Sequence, residues 1–336
     1  MYRNNQYVET VNKGTWFRDN ATPGTTNDYY VVSFTSGGAS YSARSEEVTG
    51  RALQSAVISI GDSFISGEAG YHIGNRNSIN RPQAYEAGTN TDTNLCHRSD
   101  VAPIRSAAIP NVATFNIACS GALSNQALVT GRYNEPSQIS QLRNIGRNYH
   151  FDMIAISIGG NDMGFPQLVE DCIGYYFRPG SCKANRGDAT HQKVETVMKD
   201  AVERTIRAVQ TELDRLDQHE TRIVLQSYPS PIGASPRWSD PGSKIAHGCP
   251  FQGKDLRWVD NELVPLIDEV YEDIANDLNV EFLSLSDAFD GKQVCSVGVT
   301  SVGTAMAASP TLNGPAPSPG TLTSTAAKTR PCTPAT

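Results

Sequence analysis

Five short apolar runs, each closed by glycine, proline or polar turn residues, constrain this chain more than any other feature. They are Ala56–Ile60, Ala113–Ala118, Met153–Ile158, Ile223–Tyr228 and Val280–Leu285. Runs this short, rich in Val and Ile, suit strands buried on both faces. Between them lie helical patterns. Val194, Met198, Val202, Ile206, Val209 and Leu213 recur at three- and four-residue spacing up to Leu216. Leu256, Val259, Leu263, Ile267, Val270 and Ile274 do so up to Leu278, with Pro265 predicting a kink. Strands alternating with helices predict an α/β fold, a parallel sheet covered on both sides. Active sites of such sheets lie beyond the carboxyl ends of the strands.

The texture divides the 336 residues into three parts. Residues 1–51 are polar and rich in Thr, Asn, Gly and Tyr, with strand formers at Tyr29–Phe34. They read as a short β-rich extension, the tail of an upstream module. Residues 52–296 carry the strand and helix pattern. Residues 297–336 are dominated by Ala, Ser, Thr, Pro and Gly and contain no acidic residue, His or aromatic. Such a segment is expected to be disordered, because it buries too little apolar surface to offset its ordering entropy.

The formal net charge of -7 argues against a nucleic-acid partner, which would call for clustered Lys and Arg. No apolar run is long enough to span a membrane. Seven cysteines occur, at 96, 119, 172, 182, 249, 295 and 332, without CxxC pairs or zinc-finger spacing, so neither a metal nor another cofactor is expected. Dispersed cysteines favour disulfides and an oxidising compartment, with buried thiols as the alternative. Against this, Met1-Tyr2-Arg3-Asn4-Asn5 opens without the apolar core of a signal peptide. The expectation is a secreted protein whose start lies inside a longer gene product.

Three motifs follow three of the strands. Gly61-Asp62-Ser63-Phe64 follows the first and puts a serine at a strand-to-helix turn. Ser63 could equally cap an ordinary helix. Ala118-Cys119-Ser120-Gly121 offers a glycine N–H that a ligand can approach closely. Gly159-Gly160-Asn161-Asp162 offers a side-chain amide, or a plain Asx turn. Singly each has a bland explanation. Together they present one hydroxyl and three donors at strand ends, the composition of a nucleophile beside an oxyanion hole. Asp62 and Asp162 read as turn-stabilising residues.

These motifs, with CHRSD at 96–100, LQSYPSPI at 225–232 and GCPF at 248–251, resemble the SGNH (GDSL-type) hydrolase superfamily over residues 52–296. More narrowly, they are similar to its secreted actinobacterial esterases and lipases. The resemblance implies a three-layer α/β/α sandwich with a five-stranded, flavodoxin-like parallel sheet. It implies Ser63 as nucleophile, with Gly121 and Asn161 completing the oxyanion hole. It implies disulfides Cys96–Cys119, Cys172–Cys182 and Cys249–Cys295, leaving Cys332 unmatched; six cysteines alone allow fifteen pairings. A monomer acting on a small-molecule or lipid ester is expected, with loops 70–95 and 172–190 shaping its pocket.

One expected part is missing. The family carries a C-terminal block in which a His serves as general base. The six histidines here are His72, His97, His150, His191, His219 and His247, and none stands in a DxxH or HPN context. No catalytic His or Asp is identifiable; His72 and His97 are the two that could approach Ser63. The expectation is that the C-terminal block has been lost after Cys295-Ser296, leaving an impaired esterase. The alternatives are a non-catalytic ligand-binding module on the same fold and, more remotely, a phosphodiesterase or transferase.

Overall fold

The computed structural model describes residues 1–10, 19, 21–34, 40–68, 85–100, 102–107 and 109–297. The expected disorder at 298–336, Cys332 and His72 lie outside them. Four short strands come first: β1 (Tyr2–Arg3), β2 (Gln6–Tyr7), β3 (Thr26–Tyr30) and β4 (Val48–Arg51). They form an antiparallel sheet in the order β2-β1-β3-β4. Tyr2 faces Tyr7 and Tyr30 across the ladder, with ring centroids 5.8 and 4.9 Å apart. The strand expected at Tyr29–Phe34 instead stops at Tyr30. Serine hydroxyls replace the ladder beyond it: the N–H of Val31 donates to Ser45 Oγ and that of Ser33 to Ser42 Oγ, both at 3.0 Å.

All five apolar runs are strands of a second, wholly parallel sheet. They are β5 (Gln54–Gly61), β6 (Ala113–Asn116), β7 (Tyr149–Ser157), β8 (Arg222–Gln226) and β9 (Glu281–Leu283), in the order β6-β5-β7-β8-β9. This is the flavodoxin-like order. The helices are α1 (Ser63–Ser66), α2 (Pro103–Ser106), α3 (Gln138–Gly146), α4 (Phe165–Tyr176), α5 (Cys182–Lys193), α6 (Lys199–Arg215), α7 (Pro241–Ala246), α8 (Gly253–Trp258) and α9 (Val264–Asp277). Residues of one sheet face, among them Ile58, Ile60, Ile154 and Ile156, are fully buried in the main core. They meet Leu142 of α3, Val202 and Ile206 of α6, and Tyr271 and Ile274 of α9. Ala155 alternates to the other face and packs with Ile65 and Ala118, near α1 and α2.

Both apolar stripes are helices, longer than periodicity suggests. α5 runs into α6 through a single π turn at Val194–Met198. Its start is fixed by Ser181, whose hydroxyl accepts the N–H of Ala184, and by Asp255, which accepts the N–H groups of Cys182 and Lys183. α8 joins α9 through another π turn, Val259–Leu263, just before Pro265. A proline lacks an N–H and collides with the carbonyl four residues earlier in a regular helix. The widened turn absorbs it, so the expected kink takes the form of a π turn. Disulfides join Cys96 to Cys119, Cys172 to Cys182 and Cys249 to Cys295.

β5 ends at Gly61, whose φ of 149° few L side chains adopt. A Cβ there would stand 1.9 Å from the carbonyl oxygen of Ser157, its partner on β7. The two strand ends approach this closely only because position 61 has no side chain. Gly61→Ala is expected to destabilise the fold by about 3 kcal/mol or more, read as a lowered urea midpoint with unchanged slope.

Candidate active site

Ser63 opens α1 one residue beyond the β5 exit. The exit is held from several sides. The Gln138 side-chain amide donates to the carbonyl of Gly61 and accepts its N–H, each at 2.8 Å. The N–H of Cys119 donates to the same carbonyl at 3.0 Å, and that of Asp62 to Ser157 O at 3.1 Å. Asp62, 2% exposed, caps α1 by accepting the N–H of Phe64. Ser63 itself is only partly buried, and among the described residues neither its hydroxyl nor its N–H has a hydrogen-bond partner.

The loop after β6 carries Gly121. It is tied by the Cys96–Cys119 disulfide and by Arg98, which donates through Nε to Ala118 O at 2.7 Å and through Nη2 to Ile117 O at 3.4 Å. The same guanidinium grips both oxygens of Glu135, one at 2.9 Å. Burial pushes the Glu135 carboxyl up, but the bonds and charge of Arg98, with Asn94 and Gln141, more than offset this. The result lies below the ordinary 4.5. Gly121 has φ 68°, and a Cβ there would lie 2.6 Å from Arg132 Nη2. Its N–H has no partner among the described residues.

The loop after β7 carries Asn161. One side-chain N–H donates to Ala122 O at 3.1 Å, and the other has no partner among the described residues. The neighbouring Gly160 N–H donates to the hydroxyl of Tyr228, which in turn donates to Asp62. Asp162 accepts both the N–H and the hydroxyl of Ser124. Thus Ser63, Gly121 and Asn161 stand at the carboxyl ends of adjacent strands, and each lies within two residues of a hydrogen bond to another's segment.

Among the described histidines, His97 is the one tied to the segment of Ser63. Its Nδ1 lies 2.9 Å from Glu68 Oε1 and its ring stacks on Tyr85. Glu68 also accepts the Ser120 hydroxyl and donates its own N–H to Ser63 O. No hydrogen bond joins His97 to Ser63. His191 accepts the indole N–H of Trp258, His219 pairs with Asp214 and Asp217, and His247 stacks on Trp238. His150 lies near the start of β7, at the far end of the sheet. A cavity of about 990 Å³ also sits at that end, lined in part by Tyr29, Arg51, His150 and Asp217, and includes none of the motif residues. Among the described residues no group of His, Cys, Asp and Glu could hold a metal ion.

Residues 172–190, expected to be a loop, comprise the end of α4, a short connection at 177–181 and most of α5. Residues 69–84 of the other expected loop lie outside the described residues. Gln138, Arg98 and Tyr228 have no role in the reading of the sequence. Arg98 and Tyr228 stand inside recognised motifs, and a polar residue there was the available signal.

Residues 59–297 match the GDSL-like lipase/acylhydrolase family. The chain belongs to that family and is by descent a carboxylic ester hydrolase. Its sheet and flanking helices are the α/β fold of these enzymes. An extracellular lipase from Streptomyces rimosus is similar at 20% identity and TM-score 0.51, over 72% of this chain and 85% of that one. A phospholipase A1 from Streptomyces albidoflavus NA297 is similar at 21% identity and TM-score 0.48, over 74% and 86%. No curated protein matches the chain.

The depressed Glu135 pKa has a definite sign. Its stabilisation is present above 4.5, the unfolded value, and is lost as pH falls through the lower folded value. Urea midpoints of the wild type are therefore expected to drop more steeply below about pH 4.5 than those of Glu135→Gln, with the two curves parallel above it.

Proposed function

We propose that this chain cleaves carboxylic esters through an acyl-serine intermediate at Ser63, on a small-molecule or lipid ester, with no cofactor. The Ser63 hydroxyl attacks the ester carbonyl. The N–H groups of Ser63 and Gly121 and the Asn161 amide receive the negative charge that develops on the carbonyl oxygen. The alcohol leaves and water releases the acid. One observation carries this reading: three donors without a partner among the described residues stand on adjacent strand ends beside a hydroxyl that likewise has none there.

No base is assigned. His97 is engaged with Glu68 and makes no bond to Ser63, and the family's C-terminal His has no counterpart in this sequence. In serine proteases, loss of one triad member costs about 10⁴–10⁶ in turnover, while oxyanion binding retains a residual rate. Slow ester cleavage is the expectation. An extracellular setting is supported by the three disulfides, and by the likeness to an extracellular lipase. That no described histidine bonds to Ser63 favours a second reading, a module that binds esters without cleaving them.

A fluorophosphonate probe separates the two readings. The expected result is slow covalent labelling located at Ser63 by peptide mass analysis and abolished in Ser63→Ala. Asn161→Ala is expected to label about 10²–10³ times more slowly. A wild-type chain unlabelled at Ser63 after prolonged exposure would favour the binding module.

A further inference from the structure

Tyr228 follows β8 at the same end of the sheet as the three motif loops. Its hydroxyl makes two bonds of opposite sense. It accepts the N–H of Gly160 at 3.1 Å and donates to Asp62 Oδ2 at 2.5 Å. The other oxygen of that carboxylate accepts the N–H of Phe64 at 3.2 Å. Asp62 precedes Ser63, and Gly160 precedes Asn161. One phenol oxygen and one carboxylate therefore span the residues next to two of the three oxyanion donors.

The ring is held as well as the hydroxyl. Phe64 and Tyr271 meet it edge-on, each with centroids 6.0 Å away. Tyr271 itself donates to Ile158 O at 2.6 Å, anchoring the strand end that leads into Gly159–Asn161. Burial raises the Asp62 carboxyl to about 7, against the lowering effect of its two donors. Burial, with the Asp62 charge, raises the Tyr228 hydroxyl well above its ordinary value. Tyr228 thus keeps its proton, and with Asp62 ionised the bonds run from Gly160 to Tyr228 to Asp62. Phenylalanine would fill the same space, so what the hydroxyl adds is a fixed separation between two loops.

That separation matters because Asn161 has one N–H committed to Ala122, leaving only the other for a developing charge. An oxyanion donor is effective at about 2.7–3.1 Å, a tolerance that a loose loop does not keep. We propose that Tyr228, braced by Asp62, is a positioning residue that holds Asn161 on the oxyanion at Ser63. This rests on the ester-cleaving reading given above.

The test is the rate of fluorophosphonate labelling at Ser63 in the full chain, for wild type, Tyr228→Phe, Asn161→Ala and the double variant. Tyr228→Phe is expected to label at least about 10-fold more slowly, a share of what the whole donor is worth. The double variant is expected to label no more slowly than Asn161→Ala alone, because a brace has no effect once the group it braces is gone. A Tyr228→Phe rate equal to wild type overturns the proposal. So does a double variant slowed by the product of the two single effects, which is what general loosening of the fold would give. If Tyr228→Phe does not fold, Asp62→Ser takes its place, because a serine hydroxyl still caps the N–H of Phe64 but leaves no second oxygen for the Tyr228 hydroxyl. The same cycle with Asn161→Ala then decides by the same two outcomes. Absence of labelling in the wild type overturns the ester-cleaving reading itself, a result distinct from labelling that is merely insensitive to Tyr228.

Discussion

The pairing of Gln138 with Gly61 is the constraint on which the site depends. A strand end has no further ladder to hold it, and its last polar groups are ordinarily left to water. At Gly61 a buried side-chain amide takes both the N–H and the carbonyl of one residue, at 2.8 Å each. The segment after β6 is referenced to the same carbonyl through Cys119, and the β7 end is referenced to the next residue through Ser157. Reaction geometry is sensitive to displacements of about 1 Å. A side chain one helical turn from a frayed strand would be loosely placed; Ser63 stands two residues from a strand end whose N–H and carbonyl are both held.

The supports on the two flanks of Ser63 differ in kind. Toward β6 they are covalent and ionic: the Cys96–Cys119 bond, and Arg98 braced on Glu135 while its remaining N–H groups hold Ile117 and Ala118. Toward β7 and β8 they are short hydrogen bonds among enclosed groups, running from Gly160 through Tyr228 to Asp62. The first flank is sensitive to reductant and to acid. The second holds no disulfide, and its Asp62 carboxyl, raised by burial to about 7, takes up a proton at milder acidity than Glu135 does.

Much of the fold was legible because the signals are local. Each parallel strand is an apolar run bounded by turn residues, and each long helix a stripe at helical spacing. The π turns were not, since one extra residue per turn barely disturbs an apolar stripe, as at Val194–Met198. The early end of β3 at Tyr30 was hidden because serine hydroxyls continue the bonding where the ladder stops. In the candidate site, Ser63, Gly121 and Asn161 stood out by residue type beside a strand end. Gln138 and Tyr228 did not, because they act across 77 and 166 residues of chain on Gly61 and Asp62. No spacing rule spans such distances. The bond of His97 to Glu68 is equally invisible in sequence, joining residues 29 apart.

The disulfides have a topological property of their own. They span 23, 10 and 46 residues in succession, and no bridge encloses or interleaves with another. In the chain-entropy picture each loop closure is worth about 3 to 4 kcal/mol. Because the pairs are sequential, a chain emerging from its amino end presents both members of one pair before the first member of the next. As far as Cys295 the correct thiol is therefore the nearest oxidisable neighbour as each cysteine emerges, and native pairing up to that point calls for little reshuffling.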